Sequence, residues 1–291
     1  MSDPVALRSR AEQLAAPFPP LLAGARHLAA SVVLGSHGRR RPGPGDEFWQ
    51  YRQAVQGDEA RHVDWRRSGR SDLHFIRQKE WQAAQSVTLW VDPSASMRFA
   101  SDRKLPQKGH RASEMALALG ILLIHAGERV GLMGHDLPAR TGEVQLMRLA
   151  EAMERPDSDG EYGTPEAREM PSRSRAVFVS DFLGDLSPAR TALTEAADRG
   201  VSGVLLQVLD PQEEAFPFDG RTIFESMGGG IRHETLKARD LRDRYLQRLA
   251  ERKAELASLA QVAGWQYSCH HTDQPATSAL LWAYSALERV I

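Results

Sequence analysis

From Ser86 to Ile291 the hydrophobic positions follow two alternating rhythms. Short apolar runs at Val87–Val91, Val130–Gly134, Ala176–Ser180, Val201–Leu209 and Trp265–Cys269 have the length of strands. Longer stretches with helical spacing separate them, near Ala112–Ala126, Pro188–Arg199 and Ala238–Ala263, and a last helix begins at about Thr277. Length and period distinguish the two kinds of element. Their alternation predicts an α/β fold, a doubly wound and mostly parallel sheet with helices on both faces.

Residues 1–85 have another character. Val5 to Leu34 is rich in Ala and Leu and is broken by Pro17-Phe18-Pro19-Pro20, which predicts two short helices. Arg39-Arg40-Arg41-Pro42-Gly43-Pro44-Gly45 reads as a solvated loop. Between Glu47 and Gln82, Trp49, Tyr51, Trp65, Phe75 and Trp81 stand among many charges, a composition that favours strands or ribbons over a long helix. The expected organisation is an N-terminal helical and β extension over 1–85 and an α/β domain over 86–291.

The apolar runs end in chemistry. Val87–Val91 is followed by Asp92-Pro93-Ser94-Ala95-Ser96, Ala176–Ser180 by Asp181, and Val204–Leu209 by Asp210; Trp265–Cys269 runs into His270, His271, Thr272 and Asp273. Ligands of open α/β sheets bind beyond the carboxyl ends of the strands. In extended backbone, residues two apart face one side, so Asp92, Ser94 and Ser96 would converge. Such oxygen donors suit a hard cation such as Mg²⁺ and leave positions free for a partner's carboxylate. Asp also caps helices and makes turns, and that reading is preferred for Asp210 and Asp273.

Composition narrows the classes. With 42% hydrophobic and 26% charged residues and a net charge of −1, the 291-residue chain gives no general reason to expect nucleic-acid or membrane binding. The single cysteine, Cys269, cannot form an intramolecular disulfide and fits a reducing compartment. Met1-Ser2-Asp3-Pro4 lacks the order of a secretory signal, and the longest apolar run, Met115 to Ile124, falls short of the about 20 residues that cross a bilayer. The expected location is cytoplasmic.

Three stretches together resemble the bacterial domain-of-unknown-function family 58 (DUF58), which contains a von Willebrand factor A-like domain. They are Gly57-Asp58-Glu59-Ala60-Arg61-His62-Val63-Asp64-Trp65-Arg66-Arg67-Ser68-Gly69-Arg70, then Asp92-Pro93-Ser94-Ala95-Ser96-Met97, then Val177-Phe178-Val179-Ser180-Asp181-Phe182. Order and spacing fit over roughly residues 35–290, and three motifs in register are more specific than one. The resemblance implies a von Willebrand factor A-like fold with a metal-ion-dependent adhesion site. Asp92, Ser94 and Ser96 would form its first loop, Asp181 would supply a second carboxylate, and Mg²⁺ (or Mn²⁺ or Ca²⁺) would be the ion. The family expects a threonine from a loop between them, and Thr164 in Tyr162-Gly163-Thr164-Pro165 is the best match by position. Pro165 to Arg173 is short and holds two prolines, which argues against the helix usual there and leaves Thr164 open. Family members are often linked with MoxR-type AAA+ ATPases, so the resemblance implies an adaptor or chaperone-like partner of one, and not an enzyme.

Other chemistries weigh less. Arg61, Arg66, Arg67 and Arg70 around Trp65 could bind nucleic acid, but Asp46, Glu47, Asp58, Glu59 and Asp72 dilute their field. A structural reading is preferred, in which Asp64 pairs with an arginine and Trp65 anchors the segment by packing. Cys269 and His271 would share a strand face, yet no second pair stands at zinc spacing, so a satisfied strand-end histidine is favoured. His135 and Asp136 would line the rim of the site without an assigned role. P-loop, Gly-x-Ser-x-Gly and His-Glu-x-x-His signatures are missing. An aspartyl phosphotransferase built on Asp92 and Mg²⁺ is the enzymatic alternative, but Ser94 stands where an acid/base carboxylate belongs.

Overall fold

The computed structural model describes residues 20–32, 39–43, 47–55, 63–69, 73–154, 160–166, 170–230 and 232–289. Among them, α1 (Pro20–Ala30) is followed by β1 (Arg39–Gly43), β2 (Glu47–Gln53), the four-residue α2 (Trp65–Ser68) and β3 (Phe75–Ala83). Next come β4 (Ser86–Val91), a 3-10 turn at Ala95–Arg98, α3 (Lys108–His125), β5 (Arg129–Leu132), β6 (Leu137–Arg140) and α4 (Glu143–Glu154). Then follow β7 (Arg175–Ser180), α5 (Ser187–Asp198), β8 (Ser202–Leu209), α6 (Pro211–Ala215), β9 (Thr222–Glu225) and β10 (Arg232–Thr235). The long α7 (Arg239–Val262), β11 (Gln266–His271) and α8 (Ala276–Arg289) complete the chain.

A six-stranded sheet of order β11-β8-β7-β4-β5-β6 forms the centre. Every neighbouring pair is parallel except β5 and β6. Numbered by appearance in this sheet, the strands run 3-2-1-4-5-6, so the order reverses between β4 and β7. In open α/β sheets, ligand crevices lie outside such a reversal. Successive strand residues feed opposite faces. Val87, Leu89, Val177 and Val179 join a core with residues of α1, α3, α4 and α8, whereas Trp90, Phe178 and Leu205 join one with α5 and α7. Burial on both faces explains why these strands read as nearly continuous apolar runs. The result is a mixed α/β fold with a mostly parallel central sheet.

Residues 36–85 form a separate compact unit. It holds a three-stranded antiparallel sheet, β1-β3-β2. The structure differs from the sequence reading in three places here. Arg39–Gly43 is an edge strand paired with β3, where a loop was expected; an edge tolerates Pro42 because one side of the strand needs no ladder partner. Trp65 is 60% exposed and meets His74 edge-on at 5.5 Å, so it does not anchor the segment by packing. Finally, α1 does not belong with residues 36–85. Leu21, Leu22, Ala25 and Leu28 bury their apolar stripe in the core of the 86–291 portion, chiefly on α3. The other helix expected before Leu34 lies outside the described residues. No helix among the described residues is long and apolar enough to cross a membrane.

Candidate metal centre

The site begins where β4 ends. Asp92 N–H still donates to Val179 O (2.9 Å), so Asp92 lies at the rim of the sheet with its backbone fixed by β7. Oδ1 of its buried carboxylate accepts the Ser94 N–H (2.9 Å) and Oδ2 accepts the Ser180 hydroxyl (2.6 Å). Ser94 then starts the 3-10 turn, and its Oγ stands 3.2 Å from Ser96 Oγ. The two hydroxyls do converge, but through this turn rather than through extended backbone. Ala95 and Ser96 N–H anchor the turn on Gly160 O (2.9 Å) and Glu161 O (3.1 Å). Burial pushes the Asp92 carboxyl above the usual carboxylate range; hydrogen bonds from Ser180 and Ser94 oppose this, and the charge of Asp181 adds to it.

Asp181 follows β7, one residue past the Ser180 that holds Asp92. Its Oδ1 accepts Leu183 N–H (3.1 Å), and its carbonyl accepts Gln207 Nε2 (2.7 Å). Gln207 is itself held by the Tyr267 hydroxyl (2.6 Å). The remaining oxygen, Oδ2, takes the Lys108 ammonium at 2.8 Å, and Lys108 also reaches Glu213 Oε1 at 2.6 Å. Lys108 comes from the first turn of α3, and its side chain and that of Asp181 are each 1% exposed. Glu213 is fixed in turn by a capping box at the start of α6, where its Oε2 accepts Asp210 N–H (2.9 Å). Asp210 accepts Gln212 N–H and, across the fold, Ser101 N–H (2.8 Å each), which agrees with its expected capping role. Burial alone would lower the Lys108 pKa, but Asp181 and Glu213 outweigh it and hold the ammonium above the usual lysine range. Burial likewise raises the Glu213 carboxyl, with Lys108 opposing.

Asp92, Asp181, Ser180, Tyr162 and Gly163 line one narrow cleft, so the structure brings the two strand-end carboxylates together. Gly163 lies directly against Asp92: a Cβ on it would stand 2.3 Å from Oδ1. Thr164, its neighbour, has an exposed side chain and does not line this cleft. Asp92 also borders, with Ser94, a larger cavity of about 260 Å³ lined by Met97, Arg98, His110, His135 and Met153. His135 thus reaches the surroundings of the site, as expected. Asp136 is exposed, in a left-handed turn (φ 47°).

Lys108, Ser180, Gly163 and Glu213 were missed by the sequence reading. A lysine at a helix start reads as solvated. Only its burial, rare for lysine without a carboxylate partner, marks it out.

The other candidates fall elsewhere. Among the described residues no group of three or more His, Cys, Asp and Glu is placed to hold a metal. On β11, burial pushes the Cys269 thiol up to about 11, and His271 Nε2 lies 3.1 Å from Glu214 Oε2. His270 departs from the expected satisfied histidine: it is buried and its Nε2 has no hydrogen-bond partner. Of the basic cluster, Arg61 and Arg70 lie outside the described residues. Asp64 accepts Arg66 N–H (3.1 Å) and the Tyr51 hydroxyl (3.0 Å), at the head of α2.

The chain is similar to uncharacterized proteins of Mycobacterium bovis and Mycobacterium tuberculosis, each 28% identical over 257 residues, 84% of this chain and 80% of the relative. A further uncharacterized protein, of Mycobacterium avium, is 29% identical over 146 residues, 47% of this chain and 85% of its own length. Among solved structures, an aerotolerance-related membrane protein of Bacteroides fragilis matches 70% of this chain and 98% of its own, at 16% identity and a TM-score of 0.47. The conserved hypothetical protein BatB of Bacteroides thetaiotaomicron matches 70% and 97%, at 16% identity and a TM-score of 0.43. The model of the family described as protein of unknown function DUF58 matches residues 50–255, a span that contains the Asp92 loop and Asp181, and the chain belongs to that family.

Proposed function

We propose that this protein is a non-catalytic, metal-dependent protein-binding module. In this reading Asp92, Ser94 and Ser96 hold Mg²⁺ (or Mn²⁺ or Ca²⁺), Asp181 lies behind them, and a partner's Asp or Glu completes the site. The observation that carries it is the pair of hydroxyls 3.2 Å apart beside a buried carboxylate, at the point where strand order reverses. The donor set fits the ion, since every group is an oxygen and hard divalent cations select oxygen. Its electrostatics fit as well. Asp92 is buried beside a second carboxylate, and a cation would relieve the cost of its charge. The 3-2-1-4-5-6 order with one antiparallel strand also suits the von Willebrand factor A-like arrangement that the three motifs suggest. Thr164 lies one residue from the Gly163 backbone that abuts Asp92, and turning its side chain inward would be needed for it to join the set.

A bound cation would supply an electropositive contact for an acidic side chain, and few charged protein ligands would leave its affinity for the free ion modest. A phosphotransferase fits less well. Ser94, a hydroxyl that cannot act as acid or base near neutral pH, stands where such an enzyme needs its second carboxylate. The family resemblance, rather than the geometry, suggests the partner class: a MoxR-type AAA+ ATPase or its client. The test is co-purification with that ATPase of the same host, in Mg²⁺ and in chelator, using wild type and Asp92→Ala. Capture by wild type in Mg²⁺ alone is expected; equal capture in all conditions, or none, overturns the proposal.

A further inference from the structure

Lys108 is the least expected group at this centre. The lysines of this arginine-rich chain are Lys79, Lys104, Lys108, Lys237 and Lys253, against 37 basic residues in all. Lys108 is among the largest fully buried side chains. Its ammonium contacts two carboxylates from distant segments, Asp181 after β7 and Glu213 in α6. The Phe99 ring centroid lies 5.7 Å from Nζ and helps to wall it off. A compact ammonium, unlike a planar guanidinium, acts as a point charge. It therefore stands to Asp181 as a small cation would.

Charge counting gives this arrangement a consequence. Asp92 and Asp181 share one cleft, Glu213 reaches the ammonium from α6, and Lys108 compensates one of these three carboxylates. The oxygen of Asp181 that takes Lys108 is engaged, and Asp181 shares a cleft with Asp92. We infer that Lys108 is a built-in counter-cation that keeps Asp181 from a bound metal and sets how weakly the site holds it. Metal affinity is then low by construction, and a partner's carboxylate has to supply the missing negative charge. This inference rests on the metal reading proposed above, and its failure can be told apart from the failure of that reading.

The experiment uses the full chain with Mn²⁺ as the probe, followed by loss of the free-ion electron paramagnetic resonance signal, and Mg²⁺ in calorimetry. Lys108→Met removes the charge, Lys108→Gln removes it but keeps a donor for Asp181, and Lys108→Arg keeps it. Met and Gln are expected to bind at least about tenfold more tightly than wild type, because one repulsive unit charge is gone and a carboxylate is freed. Arg should stay near wild type. In a second readout, Mg²⁺ should restore the melting midpoint of Lys108→Met far more than it raises that of wild type, since an ion that the freed Asp181 can reach supplies the positive charge this carboxylate has lost. Wild-type affinity in both neutral variants overturns the inference, and so does failure of both to fold even with Mn²⁺ present. Should wild type and the neutral variants all bind nothing, the metal reading falls with it. Binding by the neutral variants alone upholds the role of Lys108 and removes the metal from the natural protein.

Discussion

Gly163→Ala tests the geometry on which the site depends. The added methyl would stand 2.3 Å from Asp92 Oδ1 and 2.7 Å from its Cγ, where ordinary contact begins at 3.4 Å. The gap of roughly 1 Å has to be made up by one side or the other. Asp92 is poorly placed to give way, because Ser94 N–H and the Ser180 hydroxyl clamp its two oxygens at 2.9 and 2.6 Å. The facing segment is tied as well, through Gly160 O and Glu161 O to the 3-10 turn. Overpacking of this kind costs about 1–3 kcal/mol. Urea unfolding should show it as a lower midpoint with an unchanged slope. The decisive control is the same substitution in an Asp92→Ala background, where the colliding carboxylate is gone. There the penalty should vanish, the non-additivity expected of residues in direct contact. A penalty of equal size in both backgrounds, or none in either, would refute this account of why a glycine stands here.

Asp92→Asn should raise the protein's unfolding midpoint at pH 7 in the absence of divalent ions. A carboxyl whose folded pKa lies above its unfolded value contributes stability that is lost as pH rises, and the amide avoids that loss. Equal midpoints by calorimetry at pH 7 would count against it. His270 gives the opposite pH dependence. Burial, with Arg111 and His271 adding, lowers its pKa from 6.5 to about 4, so the unfolded chain takes up a proton first. Stability should fall as pH drops from 6.5 towards 4, by at most about 3 kcal/mol, and His270→Gln should flatten that slope in urea titrations. Tyr267→Phe should cost about 1–3 kcal/mol by leaving the fully buried Gln207 carbonyl without its donor; a wild-type midpoint would show that Gln207 finds another partner.

The sheet was legible because burial on both faces leaves a plain apolar signal, as in Val177-Phe178-Val179, and Asp92 and Asp181 were legible because they end such runs abruptly. Short edge strands were not. In β6, four residues with alternating burial and a proline carry neither length nor pattern. The β9–β10 hairpin hides for a similar reason, as its strands are four residues long and mostly exposed. Lys108 escaped for a different one. Its partners lie 73 and 105 residues further along the chain, and no local pattern encodes a pairing of that kind. Thr164 was located by spacing alone, and spacing says nothing about which way a side chain turns.

The span between Lys108 and Glu213 has a bearing on biosynthesis. A nascent chain halted before α6 has the Asp92 loop and Asp181 but lacks the acid that completes the ammonium's surroundings. Both ion pairs of the ammonium can therefore close only after the chain has been made through α6, long after α3 and the Asp92 loop have emerged.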